Sequence, residues 1–422
     1  MSNKKILTLC LVIACVLLGV MGLGAWIVYK IVAPFWGPRY QPPETPAALS
    51  KPRIVVGAEF LSRNQLITTS QTASIDTIED LAVGELDSNP GIDIVIAGRS
   101  GAIIVDRNGT KQSEVYYEFE VKQVGIGPLN SPSLQTLLGD VQVIDIEGDG
   151  SCEYLARGSV DGAALFSHEG KRLWSYGAFT DEKTSIDDLA VGDINGDGVS
   201  EFIAAWNGLE FFDRHGNKLG AQKWEGSLHQ IEVVDVDGDR KNEIIHSNGS
   251  GLIIRDGQGQ IIKEVEMPFY LSTFDLCAMP GEERPQILAL ADENIWITDF
   301  DGKVVEKFAA SLSKFARPAK KSGEEPGLFD LTDTSVYKAK GVWVKLKEDK
   351  PAYLAVVTEF AAIDRSVLYV YSAKGRLVYQ EVMPEACTSI AVLSPADGPH
   401  AQELLVGGSQ TVWRYTAGPN GP

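Results

Sequence analysis

Cysteine, histidine and positive charge are all scarce in this chain, and each scarcity removes a class of protein. Five cysteines among 422 residues are too few for a disulfide-built scaffold. Cys10 and Cys15 lie in an apolar N-terminal stretch, Cys152, Cys277 and Cys387 are far apart, and no CxxC occurs. They read as buried free thiols without a redox role. His168, His215, His229, His246 and His400 stand singly, so no Cys/His zinc spacing exists. Lys and Arg number 38 against 57 Asp and Glu, a net charge of −19. The first fifty residues hold Lys4, Lys5, Lys30 and Arg39 against Glu44 alone, so residues 51–422 carry −22. A surface so acidic repels phosphate backbones, which excludes nucleic acid as a partner and favours divalent cations. Hydrophobic residues make up 44% of the chain, which excludes a disordered or collagen-like protein.

Long apolar runs are absent except for one. Ile6 to Val28 is uncharged over 23 residues, long enough to cross a bilayer as a helix. Trp26 and Tyr29 stand at its far end, where amphipathic rings prefer the interface, and Lys4 and Lys5 precede it. The expectation is an uncleaved signal anchor over residues 1–33 with a cytoplasmic N-terminus. A cleaved signal peptide is the alternative, but its apolar region is normally about 7–15 residues. Val12–Cys15 loosely fits a lipoprotein cleavage site, yet the apolar run continues past Cys15. Six prolines (Pro34, Pro38, Pro42, Pro43, Pro46 and Pro52) make residues 34–52 an extended stalk.

Beyond the stalk, no segment shows an amphipathic helix, and the chain repeats. In Ala190–Ala204 an apolar strand enters a short acidic loop and a second apolar strand leaves it. Gly208–Asp213 and a turn through Arg214–Lys218 follow. The same order recurs from Val141 with a turn at His168–Lys171, from Glu232 with Asp256–Gly259, and more weakly from Ala82 with Asp106–Gly109. The step from first loop acid to turn glycine is 24, 25, 23 and 24 residues for Glu85→Gly109, Asp145→Gly170, Asp193→Gly216 and Asp235→Gly259. Three fainter copies run through Leu276–Gly302, Val342–Gly375 and Ser389–Tyr415, of which the first keeps the strands and has lost the acids. Each unit reads as four short strands. Radial stacking of such units predicts an all-β protein, a β-propeller of seven four-stranded antiparallel blades over residues 53–416, with a flexible tail at 417–422. A pair of β-sandwiches is the alternative. The apolar run Arg53–Phe60 is expected to supply the missing outer strand of the last blade and close the ring, hiding the sheet edges.

Asp193, Asn195, Asp197 and Glu201 occupy positions 1, 3, 5 and 9 of a loop, with Gly198 permitting a sharp turn. Such spacing lets oxygen ligands surround one hard cation. Asp145, Glu147, Asp149 and Glu153 repeat it, as do Asp235, Asp237, Asp239 and Glu243, where Arg240 replaces a glycine. Glu85, Asp87, Asn89 and Asp93 form a fourth, weaker copy with Pro90 at the glycine position. An EF-hand is excluded, because its position 12 needs Glu where Ala204, Ala156 and His246 stand. These segments resemble the FG-GAP/VCBS-type repeats of integrin α-subunit propellers and many bacterial surface proteins, over about residues 82–410. The resemblance implies that three of these loops, and doubtfully the fourth, bind structural Ca²⁺ that rigidifies the ring. The bland counterpart is an Asx turn holding no metal.

No nucleophile elbow, GxGxxG, P-loop or HExxH is present. Asp187-Asp188 and Glu282-Glu283 read as solvated surface, and Lys171–Trp174, similar to the blade ends of quinoprotein-like propellers, reads as packing of Trp174. Asn108-Gly-Thr110 and Asn248-Gly-Ser250 fit glycosylation sequons but read as hairpin turns. Two insertions, Gly125–Gly139 and Ala309–Gly341, break the rhythm, and the second carries Lys314, Arg317, Lys320 and Lys321. The expected function is a membrane-anchored, extracytoplasmic, calcium-stabilised module that binds a protein or glycan, with no chemistry of its own. A propeller enzyme (a quinoprotein-like oxidoreductase or polysaccharide lyase) and a structural subunit of an envelope assembly are the alternatives. An enzyme would need His, Arg, Tyr or acidic side chains clustered in the central funnel.

Overall fold

The computed structural model describes residues 53–419 apart from 73–74, 76, 87–90, 99–100, 118–139, 147–150, 159–161, 178–187, 206–207, 224–229, 272, 280–281, 283, 292–293, 310–335, 361–364 and 396–400. All of them belong to one unit, Ala48–Pro422. The Ile6–Val28 span, the stalk, Gly125–Gly139 and Lys314–Lys321 lie outside the described residues. Among the described residues no helix is long and apolar enough to cross a membrane.

Seven antiparallel sheets follow one another along the chain. Blade 1 comprises Ile78–Gly84, Asp93–Gly98, Gly101–Asp106 and Lys111–Tyr116. Blade 2 comprises Asp140–Ile144, Glu153–Gly158, Gly162–Phe166 and Arg172–Gly177, and blade 3 Asp188–Gly192, Glu201–Ala205, Gly208–Phe212 and Lys218–Lys223. Ile231–Val234, Glu243–Ser247, Gly249–Arg255 and Ile261–Leu271 make blade 4. Phe274–Cys277, Gln286–Ala291, Asn294–Thr298 and Val304–Ala309 make blade 5. Blade 6 contains Val336–Val344, Tyr353–Phe360, Arg365–Ser372 and Leu377–Val382, and blade 7 Cys387–Leu393, Glu403–Gly408 and Thr411–Ala417. The seven-bladed, all-β propeller is therefore the fold, and the three faint repeats are blades 5, 6 and 7.

The ring closes differently from the expectation. Arg53–Val56 does not complete blade 7; it pairs with Leu377–Val382 as a fifth strand of blade 6. Leu61–Thr68 is the strand that pairs with Thr411–Ala417 and closes blade 7. Between them Gly57 turns the chain with φ +71°. Only Leu61 and Ile67 of the closing strand are buried, so its apolar pattern is too sparse to announce a strand. Its anchor is ionic: Arg63 pairs with Glu381 of blade 6, which is fully buried and also accepts the hydroxyls of Tyr379 at 2.6 Å and Tyr415 at 3.0 Å.

Middle strands such as Asp93–Gly98 and Glu201–Ala205 are buried throughout, because both faces of a blade are covered by neighbours and the strand is apolar without alternation. Seven hydrophobic clusters form the core, one at each blade-to-blade interface. The hairpin turn between third and fourth strands repeats in six blades, with its glycine at φ between +75° and +84°. Asp106, Asp213, Asp256 and Asp299 each accept two backbone N–H groups in that turn at 2.8–3.0 Å. Asn108 sits in the first of these turns, and Asn248 opens a separate one in which Gly251 donates to its side chain. The turn rests on the outer strand of the preceding blade. Trp174 of blade 2 lies so close over Gly216 of blade 3 that a Cβ there would fall inside the indole. Trp174 also stacks on Phe202 with ring centroids 4.2 Å apart, so it packs an interface between blades.

Candidate functional site

The acidic loops join the first and second strands of blades 1–4. In all four, the acid at position 9 turns back to accept the backbone N–H of position 2. The distances are 3.2 Å for Asp93 from Leu86, 3.3 Å for Glu153 from Ile146, 3.1 Å for Glu201 from Ile194 and 2.9 Å for Glu243 from Val236. This shared bond fixes the loop, and the weak copy in blade 1 keeps it. Asp87 and Asn89 of blade 1, and Glu147 and Asp149 of blade 2, lie outside the described residues.

In blade 3, Asp193 accepts the N–H groups of Asn195, Gly196, Asp197 and Gly198 at 2.6–3.3 Å. The Asn195 amide donates to Glu201 at 2.6 Å. In blade 4, Asp235 accepts from Gly238 at 2.5 Å and from Arg240 at 3.0 Å. Arg240 holds the glycine conformation at φ +71° with its side chain exposed, so the loop keeps its path without the glycine. Carboxylate oxygens of Asp235, Asp237 and Asp239 all come within 4.8 Å of one another, the one such convergence of three acids among the described residues. Hard oxygen donors so placed fit Ca²⁺ chemically. Burial raises the pKa of Glu201 and Glu243, with nearby loop aspartates adding to it.

The loops also join blades through the backbone. Asn242 of blade 4 donates to the Asp193 carbonyl at 2.9 Å, and Cys152 of blade 2 donates to that of Glu85 at 3.1 Å. Gln402 of blade 7 does the same to Lys345 of blade 6 at 2.7 Å, where the loop lacks the acidic 1, 3, 5, 9 spacing. A backbone contact of this kind therefore also forms without the 1, 3, 5, 9 acids.

The first strands of all seven blades enclose a central channel of about 440 Å³. The sequence reading missed its polar lining. Asp188, expected on solvated surface, lies in this channel, where its carboxylate accepts the N–H of Ile231 from the next blade at 2.8 Å. Asp80 accepts from Val141 of blade 2 at 3.3 Å, and Asp275 from Gly341 of blade 6 at 3.0 Å. Gln230 bonds both backbone groups of Phe274, and Thr388 of blade 7 donates to the Glu79 carbonyl of blade 1 at 2.5 Å. Two cations stand among these acids. Lys340 lies 3.0 Å from Asp80, and Arg157 lies 3.3 Å from Asp188 and donates to the Leu189 carbonyl. A signal existed: Asp80-Leu-Ala-Val-Gly84 and Asp188-Leu-Ala-Val-Gly192 are identical, and Asp80, Asp140, Asp188 and Gln230 all stand five residues ahead of the first loop position.

Burial raises the pKa of Asp80, Asp188 and Asp275, partly offset by Lys340 or Arg157 and by the backbone N–H groups they accept. Burial likewise raises Glu232, to about 7, with Asp188 and Asp275 adding to it against the pull of Arg157. A carboxyl raised to about 7 and facing a channel is a candidate for proton exchange near neutrality.

No family model matches the chain, and no curated protein matches it. Similar folds occur among solved structures. A crystal structure of BBS1N in complex with ARL6DN, soaked with mercury, aligns with a TM-score of 0.52 at 11% identity, over 86% of this chain and 98% of the matched one. A lead-soaked crystal of the same complex gives 0.51 at 12%, over 86% and 97%. At such identity the likeness carries the fold alone.

Proposed function

We propose that this chain is a membrane-anchored, extracytoplasmic β-propeller of the FG-GAP/VCBS type, stiffened by calcium in its acidic loops, that binds a protein or glycan and catalyses nothing. One observation carries the reading: the channel acids Asp80, Asp188 and Asp275 are each engaged with the backbone of the next blade. Side chains so used hold a scaffold, and a rigid scaffold presents its rims and edges for recognition. BBS1N, similar in fold, was crystallised with another protein, ARL6DN, which supports the protein half of the reading. Asp193, Asn195, Asp197 and Glu201, with Asp235, Asp237, Asp239 and Glu243, are the residues that would hold calcium, and the blade 2 loop would follow.

A second reading, a propeller enzyme, draws on Glu232, whose carboxyl near neutral pKa faces a channel that also holds Arg157 and Lys340. Crosslinking the full chain on its native membrane, followed by quantitative mass spectrometry, separates the two. One protein or glycan recovered at near one-to-one stoichiometry is the expected result. Recovery of none, together with turnover of a small molecule that Glu232→Gln abolishes, would overturn the binding reading.

A further inference from the structure

Blade 6 demonstrates what a blade edge of this protein accepts. Its fourth strand, Leu377–Val382, carries Arg53–Val56 antiparallel against it, with Arg53 opposite Val382 and Val56 opposite Gln380. The added strand ends at Gly57, which passes so close to the Val378 carbonyl that a Cβ would not fit. Val378 stands three residues after the turn glycine Gly375. The same position holds Leu173, Leu219, Ile262 and Val305 in blades 2–5, and these side chains are 47%, 59%, 55% and 42% exposed. In those four blades the fourth strand is the last of its sheet.

The edge of blade 3 is the least guarded. Edge strands are normally protected by charges or proline along their length. Blade 4 has Lys263, Glu264, Glu266 and Pro268, and blade 5 has Glu306 and Lys307. Blade 2 fills its strand with Trp174 and Tyr176, which stack toward Phe202 and Phe212 of blade 3. Lys218–Lys223 carries charge only at its two ends, with Leu219, Gly220, Ala221 and Gln222 between them. Leu219 is the most exposed large aliphatic side chain among the described residues. The local charge also opposes that of the molecule. Lys218 and Lys223 act on Glu210, which Lys218 and Tyr176 already engage, and Arg214 lies four residues before Lys218 in the chain.

We propose that the outer edge of blade 3 takes an extended, acidic segment of a partner protein as a fifth strand, antiparallel to Lys218–Lys223. The mode is strand addition, in which backbone hydrogen bonds supply affinity and side chains supply choice. Acids at the two ends of the incoming segment meet Lys218 and Lys223, and an apolar residue covers Leu219. This specifies the protein-binding reading above and rests on it.

The test uses the full chain in detergent and a short fluorescent peptide of alternating Glu and Val, followed by anisotropy at physiological salt. Saturable binding is expected, weakened about tenfold or more by Lys218→Glu with Lys223→Glu, and unchanged by Lys303→Glu on blade 5. Two N-methylated peptides, blocking alternate sets of amides, probe the ladder itself. One set should abolish binding and the other leave it intact, since a strand pairs through only one edge. Equal effects of the two sets, or indifference to the blade 3 charges, would overturn the proposal. Photocrosslinking from position 219 on the native membrane separates it from its premise. A one-to-one protein partner that crosslinks elsewhere and never from 219 sinks the edge site and leaves the protein-binding reading standing.

Discussion

Single residues in this propeller are tuned by the shared burial of like charges. Glu232 has a folded pKa of about 7 against an ordinary 4.5, so the folded protein holds a proton that the unfolded chain releases. Below the unfolded value both states are protonated and nothing is gained or lost. Between the two values stability falls as pH rises, and above the folded value the loss is complete. Asp80, Asp188 and Asp275 are raised as well and add slope of the same sign. Glu232→Gln should therefore flatten the fall between about pH 5 and 7 and stabilise the protein at pH 7.5 by about 1–2 kcal/mol, water in the channel screening the rest. Thermal melts across that range check it; a variant less stable than the parent at pH 7.5 would contradict it. Arg240 is strained in the opposite sense, by backbone rather than charge. Arg240→Gly should raise stability by about 0.5–1 kcal/mol, since glycine has no penalty at φ +71° but loses more entropy on folding. Urea melts measure it.

Turns and strands carry the regularity that makes the ring. Gly216→Ala should cost about 2–4 kcal/mol, combining left-handed strain with displacement of Trp174. Gly198→Ala, with open space around the added carbon, should cost only about 1 kcal/mol. Denaturant midpoints of the two variants provide the comparison, and equal losses would remove the clasp between blades. Arg63→Ala strands Glu381 without its cation in a fully buried position and should cost about 3 kcal/mol. The same elements explain what was legible in the sequence. Asp-x-x-Gly turns and apolar strand pairs are local signals, so even a blade without the acids at loop positions 1, 3, 5 and 9, such as Leu276–Gly302, could be read. The closing strand could not, because an outer strand such as Leu61–Thr68 has one solvated face and buries only two apolar side chains. Asp188 resembled surface because acids are abundant everywhere in the chain, and for the same reason Asp80 and Asp275 did not stand out. Their burial comes from seven first strands converging on one axis, which no local pattern expresses.

At the scale of the whole molecule, closure is achieved several times over: by apolar clusters at every interface, by channel side chains, by turn glycines and by the N-terminal strands. None of these devices includes a metal ligand set, and backbone bonds like the one from Gln402 to Lys345 link blades whose loops lack the acids at positions 1, 3, 5 and 9. Calcium would therefore add stability to a ring that already closes, with its strongest claim at Asp235, Asp237 and Asp239. The most direct measurement is thermal unfolding of the full chain in calcium and then in chelator, with metal content assayed alongside. The account predicts a rise equivalent to about 2.7 kcal/mol per site at a hundredfold excess over Kd, abolished when Asp145, Asp193 and Asp235 are all replaced by Ala. No shift, and no bound metal in the purified protein, would contradict it and leave the loops as hydrogen-bonded turns.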